Sequence, residues 1–138
     1  MILELQRATH ATLQVLSARL ADLDLTPSEL NALGNLGLTA SGDRPAAGAG
    51  RTVSELGAAT GTRPTTLTGV LDRLERRGLI TRAAHPGDRR AVLVTLTAEG
   101  AATAAVITRA IADLEREALA DLPAGTVEAA LTVLRALT

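Results

Sequence analysis

The chain has 138 residues, 46% of them hydrophobic and 21% charged, which is enough for one compact domain or for two small ones that share a core. It contains no Cys, Phe, Tyr or Trp, which excludes disulfides, thiol nucleophiles and thiolate metal sites, and also excludes base stacking on aromatic rings. The net charge of −1 is unevenly distributed: residues 51–90 hold eight Arg and four acidic residues, a charge of +4, whereas the rest of the chain carries −5.

The N-terminal region predicts two helices. A stripe of residues at intervals of three or four predicts an amphipathic helix that ends near Asp24; its members are Leu5, Thr9, Leu13, Leu16, Leu20 and Leu23. Thr26-Pro27-Ser28-Glu29 then predicts a second helix, with Thr26 as its cap and Glu29 closing a capping box.

Residues 40–51 are rich in Ala and Gly and have almost nothing to bury, so we expect a mobile loop there. Thr52-Val53-Ser54-Glu55 is a second capping-box pattern, and it opens a short helix that buries Leu56 and ends at Gly61.

The next segment predicts the second helix of a helix-turn-helix. Pro64 suits a first helical turn, and Gly78 supplies the stop. Between them, apolar residues follow at i, i+3, i+4 and i+7, which is a one-sided pattern. The residues of this stripe are Leu67, Val70, Leu71 and Leu74.

A hairpin and two further helices complete the chain. Residues 79–82 and 91–95 are predicted strands around the turn residues 85–88. Beyond Thr97, a predicted N-cap, apolar residues mark a long helix as far as Leu122, and a last helix follows Gly125. The predicted fold is therefore mainly α with a small β hairpin.

A helix-turn-helix beside a basic hairpin suits duplex DNA, because a helix fits the major groove and a hairpin can follow the backbone into the minor groove. The outward face of helix 64–77 is small and polar in its first half and basic in its second. The candidate DNA-contacting residues are Arg63, Thr65, Thr66, Thr68, Gly69, Arg73, Arg76, Arg82, Asp88, Arg89 and Arg90.

Several of these residues also have a purely structural interpretation. The threonines can be a solvated helix face, and Gly69 can be either a tolerated defect or a point of close approach to DNA. The arginines of this helix each have a carboxylate, Asp72 or Glu75, within four positions, so they can form surface ion pairs. We favour a structural role for Arg77 and a functional one for Arg73.

Asp88 and Arg90 lie two positions apart, so their side chains can share one side of a strand and pair. A guanidinium held in this way suits a narrow A·T minor groove, where the potential is strongly negative. The alternative is a solvated turn with a loose ion pair. All 14 cationic residues of the chain are Arg, which either favours planar, bidentate contacts or reflects the codon bias of a GC-rich genome.

Four segments together resemble the MarR family of winged-helix transcriptional regulators, in order and over nearly the whole chain. The most specific is the Asp-x-Arg hairpin that runs into Leu-Thr-x-x-Gly at residues 96–100. The segments are 25–27, 52–56, 71–82 and 88–100.

This resemblance implies a homodimer that binds a pseudo-palindromic operator, with residues 64–77 as the recognition helix and with Asp88 and Arg90 as the wing pair. The residue pattern independently favours a dimer, because the central module cannot cover the apolar faces of both helical ends. We expect a dimerisation helix at 1–25, a winged helix-turn-helix lobe at 26–100 and C-terminal dimerisation helices at 101–138.

Two features depart from the family pattern. The loop at 40–51 is longer than usual, so the short third strand of the wing is doubtful; only residues 51–53 could supply it. Without aromatic residues, a cleft for a small apolar effector would be aliphatic, and His10 is either a residue of that cleft or an ordinary surface residue.

Other functions are less well supported. No nucleophile motif and no glycine-rich phosphate loop is present, so we expect no enzyme. His10 and His85 have no carboxylate–histidine cluster, so we expect no metal and no other cofactor. No signal peptide or long apolar run occurs, so we expect a cytoplasmic protein with no membrane partner. The rival interpretation is a winged-helix module that binds an acidic protein.

Overall fold

The computed structural model describes residues 2–38, 50–123 and 125–136. Within them, helices near both ends of the chain flank, in sequence, a three-stranded sheet and three further helices. The elements are α1 (Ile2–Arg19), a 3₁₀ turn (Ala21–Leu23), α2 (Pro27–Gly37), β1 (Gly50–Thr52), α3 (Val53–Thr60), α4 (Pro64–Arg76), β2 (Ile80–His85), β3 (Asp88–Leu96), α5 (Ala98–Leu119) and α6 (Thr126–Ala136).

Both predicted capping boxes are formed. The Thr26 hydroxyl accepts from the Glu29 N–H at 3.3 Å, and the Glu29 carboxylate accepts from the Thr26 N–H at 2.8 Å. The same pair of bonds joins Thr52 and Glu55, at 3.2 and 2.8 Å. These local signals set the starts of α2 and α3.

Glycine stops end α3 and α4. Gly61 and Gly78 have φ angles of +63° and +71°, in the left-handed region that disfavours other residues. After Gly78 the chain turns back at once into β2, so that the sheet lies against α4.

The sheet is antiparallel with the order β1-β3-β2. The predicted hairpin is confirmed, and both of its strands are longer than the sequence indicated. The third strand, which the sequence left doubtful, is present: Arg51 pairs with Val94, and Gly50 pairs with Thr95. Most of the loop predicted at 40–51 lies outside the described residues, and its last two residues belong to β1.

One apolar core holds these elements together. It includes the α4 residues predicted to face inward, each at most 1% exposed, and it continues into the first half of α5. There Gly100 packs so closely that an added Cβ would lie 1.8 Å from the Leu79 carbonyl oxygen. The start of α5 is therefore built into the lobe formed by α2, α3, α4 and the sheet.

The terminal helices differ slightly from prediction. α1 ends at Arg19, and the 3₁₀ turn carries the chain to Asp24, whose φ is +50°. α5 ends at Leu119 instead of continuing to Leu122. An ion pair of 2.5 Å between Arg19 and Glu117 joins α1 to the far end of α5. Of the helices described, none is both long enough and apolar enough to cross a membrane.

Candidate nucleic-acid interface

The fold gives α4 one buried face and one open face. Leu67, Val70, Leu71 and Leu74 point into the core, as predicted. Because the side chains between them point away from it, the polar half of the helix stays uncovered. The first turn of α4 lies at one end of this open face. Its backbone N–H groups have no partner within the helix, and such groups favour the binding of a phosphate.

The predicted contacts at the start of α4 are all accessible. Arg63 is the N-cap residue, without a side-chain cap hydrogen bond, and it is exposed. Thr65 and Thr66 are exposed as well. Thr68 is also exposed, and its hydroxyl donates to the Pro64 carbonyl at 3.0 Å.

Arg73 is anchored to another helix. Its Nε donates to Oε1 of Glu29 at 2.6 Å, and the Glu29 side chain is 4% exposed whereas that of Arg73 is 45% exposed. The expected alternatives, Asp72 and Glu75, are not the partners. Burial opposes ionisation of Glu29, but hydrogen bonds from Thr26 and Arg73 outweigh it and lower the pKa of the carboxyl group.

The next two arginines of this region differ in their surroundings. Arg76 is exposed, and its Nε donates to the Asp72 carbonyl at 3.3 Å. Arg77 donates to the carbonyls of Leu23, at 2.8 Å, and Asp24. The structural role favoured for Arg77 agrees with these bonds, which join the end of α4 to the turn before α2.

Arg82 was predicted to contact DNA, but its guanidinium is held by carboxylates. Nη2 donates to Glu75 at 2.6 Å and to Asp72 at 2.7 Å, and Nε donates to Glu75 at 3.0 Å. The hydrogen bonds from Arg82 lower the pKa of Glu75. This Arg82 cluster (Arg82, Asp72 and Glu75) ties the first strand of the wing to α4 through Nε and Nη2 of Arg82. The DNA contact of Arg82 stays a prediction, and these bonds give the residue a structural role as well.

The wing presents two exposed arginines, Arg89 and Arg90, at the start of β3. The expected bond between the Asp88 and Arg90 side chains is not what the structure shows. Asp88 Oδ1 accepts instead from the Arg90 backbone N–H at 2.9 Å. The carboxylate therefore shapes the turn, and the guanidinium remains exposed.

A groove of about 730 Å³ separates the wing from α3 and α4. Aliphatic side chains line much of it, including Val53, Leu67 and Val92, and Thr68 and Arg90 lie at its polar parts. The groove is thus continuous with the open face of α4, on the side where both predicted DNA-contacting elements meet.

Outside this region, His10 is exposed on α1 and lies 2.9 Å from the amide nitrogen of Gln14. It borders a shallow cavity of about 400 Å³ lined by residues of α1 itself. Among the described residues, no group of three or more His, Asp or Glu side chains is arranged to hold a metal ion.

Sequence reasoning did not find the carboxylates that hold these arginines. Glu29 was interpreted only as the second half of a capping box, and its contact with Arg73 spans 44 positions. The helical period correctly placed Arg73 on the outward face of α4. A partner on another helix, however, cannot be predicted from residues that are near Arg73 in sequence.

Residues 49–92 match the model of the MarR family. The HTH-type transcriptional repressor NicR of Pseudomonas putida is 35% identical over 82 residues, which are 59% of this chain and 52% of that protein. A solved structure from Pseudomonas aeruginosa, described as a "probable transcriptional regulator", is 32% identical with a TM-score of 0.72, and the match covers 100% of this chain and 96% of the other. The chain belongs to the MarR family.

MarR of Escherichia coli, in its reduced form, is also similar in structure. It is 28% identical with a TM-score of 0.72, over 99% of this chain and 95% of the other. BpsR of Bordetella bronchiseptica is 25% identical with a TM-score of 0.73, over 96% and 94%. The winged helix-turn-helix predicted from the sequence is thereby confirmed as the MarR-family fold.

Proposed function

We propose that this MarR-family protein is a sequence-specific, double-stranded DNA-binding transcriptional repressor that acts as a homodimer on a pseudo-palindromic operator and is released by a small ligand. The name of the P. putida relative, a transcriptional repressor, supports the sign of regulation.

The observation that carries this proposal is the open polar face of α4 beside the exposed wing arginines. Helix and wing border one groove, so a duplex that receives α4 in its major groove meets Arg89 and Arg90 on the adjoining backbone or minor groove. The charge of +4 over residues 51–90 favours phosphates, although the whole chain is slightly acidic.

Exposed apolar residues on the terminal helices support the homodimer. Within its described span α6 has no buried residue, yet Leu131, Val133 and Leu134 lie on it. On α1, Ile2 and Leu3 are 60% and 70% exposed. A second subunit that covers these side chains removes apolar surface from water and places two α4 helices on one duplex.

An effector is supported by the aliphatic groove and by one relative. In BpsR of B. bronchiseptica, DNA binding is regulated by 6-hydroxynicotinic acid. By analogy, a small aromatic carboxylic acid could pack its ring against the aliphatic walls of the groove and pair its carboxylate with Arg90, and in that position it would compete with DNA for the wing.

The test is selection of preferred duplexes from random DNA, followed by titration at several salt concentrations. We expect an inverted repeat whose half-sites lie about 34 Å apart, and an affinity that falls steeply as salt rises. Equal affinity for the selected and random duplexes would refute the proposal, and tighter binding to an acidic protein would favour the rival module. Addition of 6-hydroxynicotinic acid tests release.

A further inference from the structure

We propose that Glu29, a buried residue of α2, is a positioning residue that aims Arg73 of α4 at a base edge and thereby determines part of the operator preference. The inference rests on the proposed function. Glu29 lies outside the helix-turn-helix and is 3% exposed, so it reaches DNA only through the arginine that it holds.

The carboxylate of Glu29 has two separate partners. Oε2 accepts from the Thr26 N–H at 2.8 Å and belongs to the capping box. Oε1 accepts from Arg73 Nε at 2.6 Å. Because the capping box fixes the carboxylate to the first turn of α2, the Arg73 bond is made to an immobile anchor inside the protein.

Anchoring through Nε leaves the outer edge of the guanidinium available. Nη1 of Arg73 lies 3.7 Å from the position of a Cβ added at Gly69, so the group lies along the open face of α4 beside that glycine. The two Nη atoms of an arginine can donate together to O6 and N7 of guanine. Holding the side chain in place beforehand reduces the entropy lost when that contact forms.

Other arginines near α4 have different surroundings. Arg77 donates both Nη atoms to backbone carbonyls, and Arg82 donates Nη2 and Nε to carboxylates. The bond from Arg76 runs to its own helix. Of these residues, Arg73 combines a buried partner in another helix with a guanidinium edge directed along the open face.

The experiment compares Glu29→Gln, Arg73→Ala and the double variant on the selected operator and on a scrambled duplex of the same length. Fluorescence anisotropy at constant salt measures affinity. We expect each single variant to weaken operator binding about tenfold and scrambled binding much less. The double variant should bind the operator like Arg73→Ala, because Glu29 acts through Arg73.

Glu55→Gln is the matched control, since Glu55 closes the equivalent capping box on α3 with Thr52 as its hydrogen-bonding partner. It should leave operator preference unchanged. Where Glu29→Gln does not fold, Arg73→Lys gives the second measurement, because lysine keeps the charge but lacks both the Nε anchor and the fork. It should lose operator affinity and keep scrambled affinity.

Three results would overturn the inference: an equal loss on both duplexes, a Glu29→Gln effect that persists in the Arg73→Ala background, or an operator affinity that neither variant changes. Failure of the proposed function is distinguishable from these, because the unsubstituted protein would then not discriminate the operator from the scrambled duplex.

Discussion

At the scale of single residues, five arginines of the lobe fall into two groups. Arg73, Arg77 and Arg82 are held by groups of the protein, whereas Arg89 and Arg90 are exposed on the wing. A held guanidinium must leave its partner before a phosphate can use the same edge. The wing arginines can therefore bind DNA without first breaking a bond to the protein, whereas the engaged edges of Arg77 and Arg82 fix the shape of the surface. Arg73 differs from Arg77 and Arg82, because it is held through Nε and its two Nη groups remain for DNA.

Arg90→Ala should weaken operator binding by about 1–3 kcal/mol and leave the oligomeric state unchanged, because it removes a charged contact at the wing. Operator titration and analytical ultracentrifugation measure the two effects. Arg116→Ala on α5, which breaks an exposed ion pair with Asp113, is the control and should bind normally. An unchanged titration curve for Arg90→Ala would exclude this residue from the interface.

Two helical glycines should respond in opposite ways to alanine. At Gly100 an added Cβ would lie 1.8 Å from a backbone oxygen, so Gly100→Ala should destabilise the fold by about 3 kcal/mol. At Gly69 the nearest atom is 3.7 Å away, so Gly69→Ala should stabilise the fold by about 0.5–1 kcal/mol. Urea unfolding measures both, and destabilisation by Gly69→Ala would show that the site is more crowded than described.

At the scale of elements, contacts between neighbours in sequence were predictable and contacts between distant segments were not. The capping boxes of α2 and α3 and the apolar stripe of α4 follow from spacings of three or four residues. β1 was doubtful because three residues gain strand structure only from β3, more than 40 positions later. The carboxylate partners of Arg73 and Arg82 depend likewise on how helices and strands pack.

The Arg82 cluster joins the wing to α4 and should keep them at one relative angle. Arg82→Met removes its ion pairs and keeps much of the packing volume, so we expect operator binding to weaken about fivefold. In the Arg90→Ala background the same change should have a smaller effect on operator affinity, because the wing contact that depends on the position of the wing is already missing. Equal effects in both backgrounds would contradict this coupling, and binding titrations of the four proteins decide between the outcomes.

Acid should remove part of the stability that Glu29 supplies. The pKa of Glu29 is lowered in the folded protein from an ordinary value of 4.5, so at pH values just below 4.5 the unfolded chain binds more protons than the folded protein. The contribution of Glu29 to the free energy of unfolding is complete above pH 4.5 and is lost as the pH falls through the pKa of the folded protein. Urea unfolding at pH 7 and at lower pH should show a shrinking difference between the unsubstituted protein and Glu29→Gln; a constant difference would contradict the assignment.

At the scale of the whole molecule, basic and apolar surfaces are separated along the chain. The central lobe is basic, whereas exposed apolar side chains concentrate on α1 and α6. The sequence predicted this separation, because charge counts and helical stripes need no tertiary information. How two subunits of the proposed homodimer fit together depends on side-chain packing between them, which helical periodicity does not determine.

Leu131→Arg should convert the proposed dimer to folded monomers, because Leu131 is 42% exposed in the single chain and the charge would face the partner subunit. Sedimentation measures the association, and circular dichroism checks that the helices remain. Leu131→Met is the control and should stay dimeric. A dimer of normal affinity for the arginine variant would place the interface elsewhere.

Helix α5 connects the central lobe to α1. Its start is wedged against Leu79 inside the lobe, and its far end is joined to α1 by Arg19 and Glu117, with one unbroken helix of 22 residues between them. A helix of this length is about 33 Å long, so a tilt of about 5° about one end displaces the other end by about 3 Å. In the proposed homodimer, a small rotation between subunits would thus change the distance between the two α4 helices and mismatch them with the helical repeat of DNA, which would add to the competition proposed at the wing.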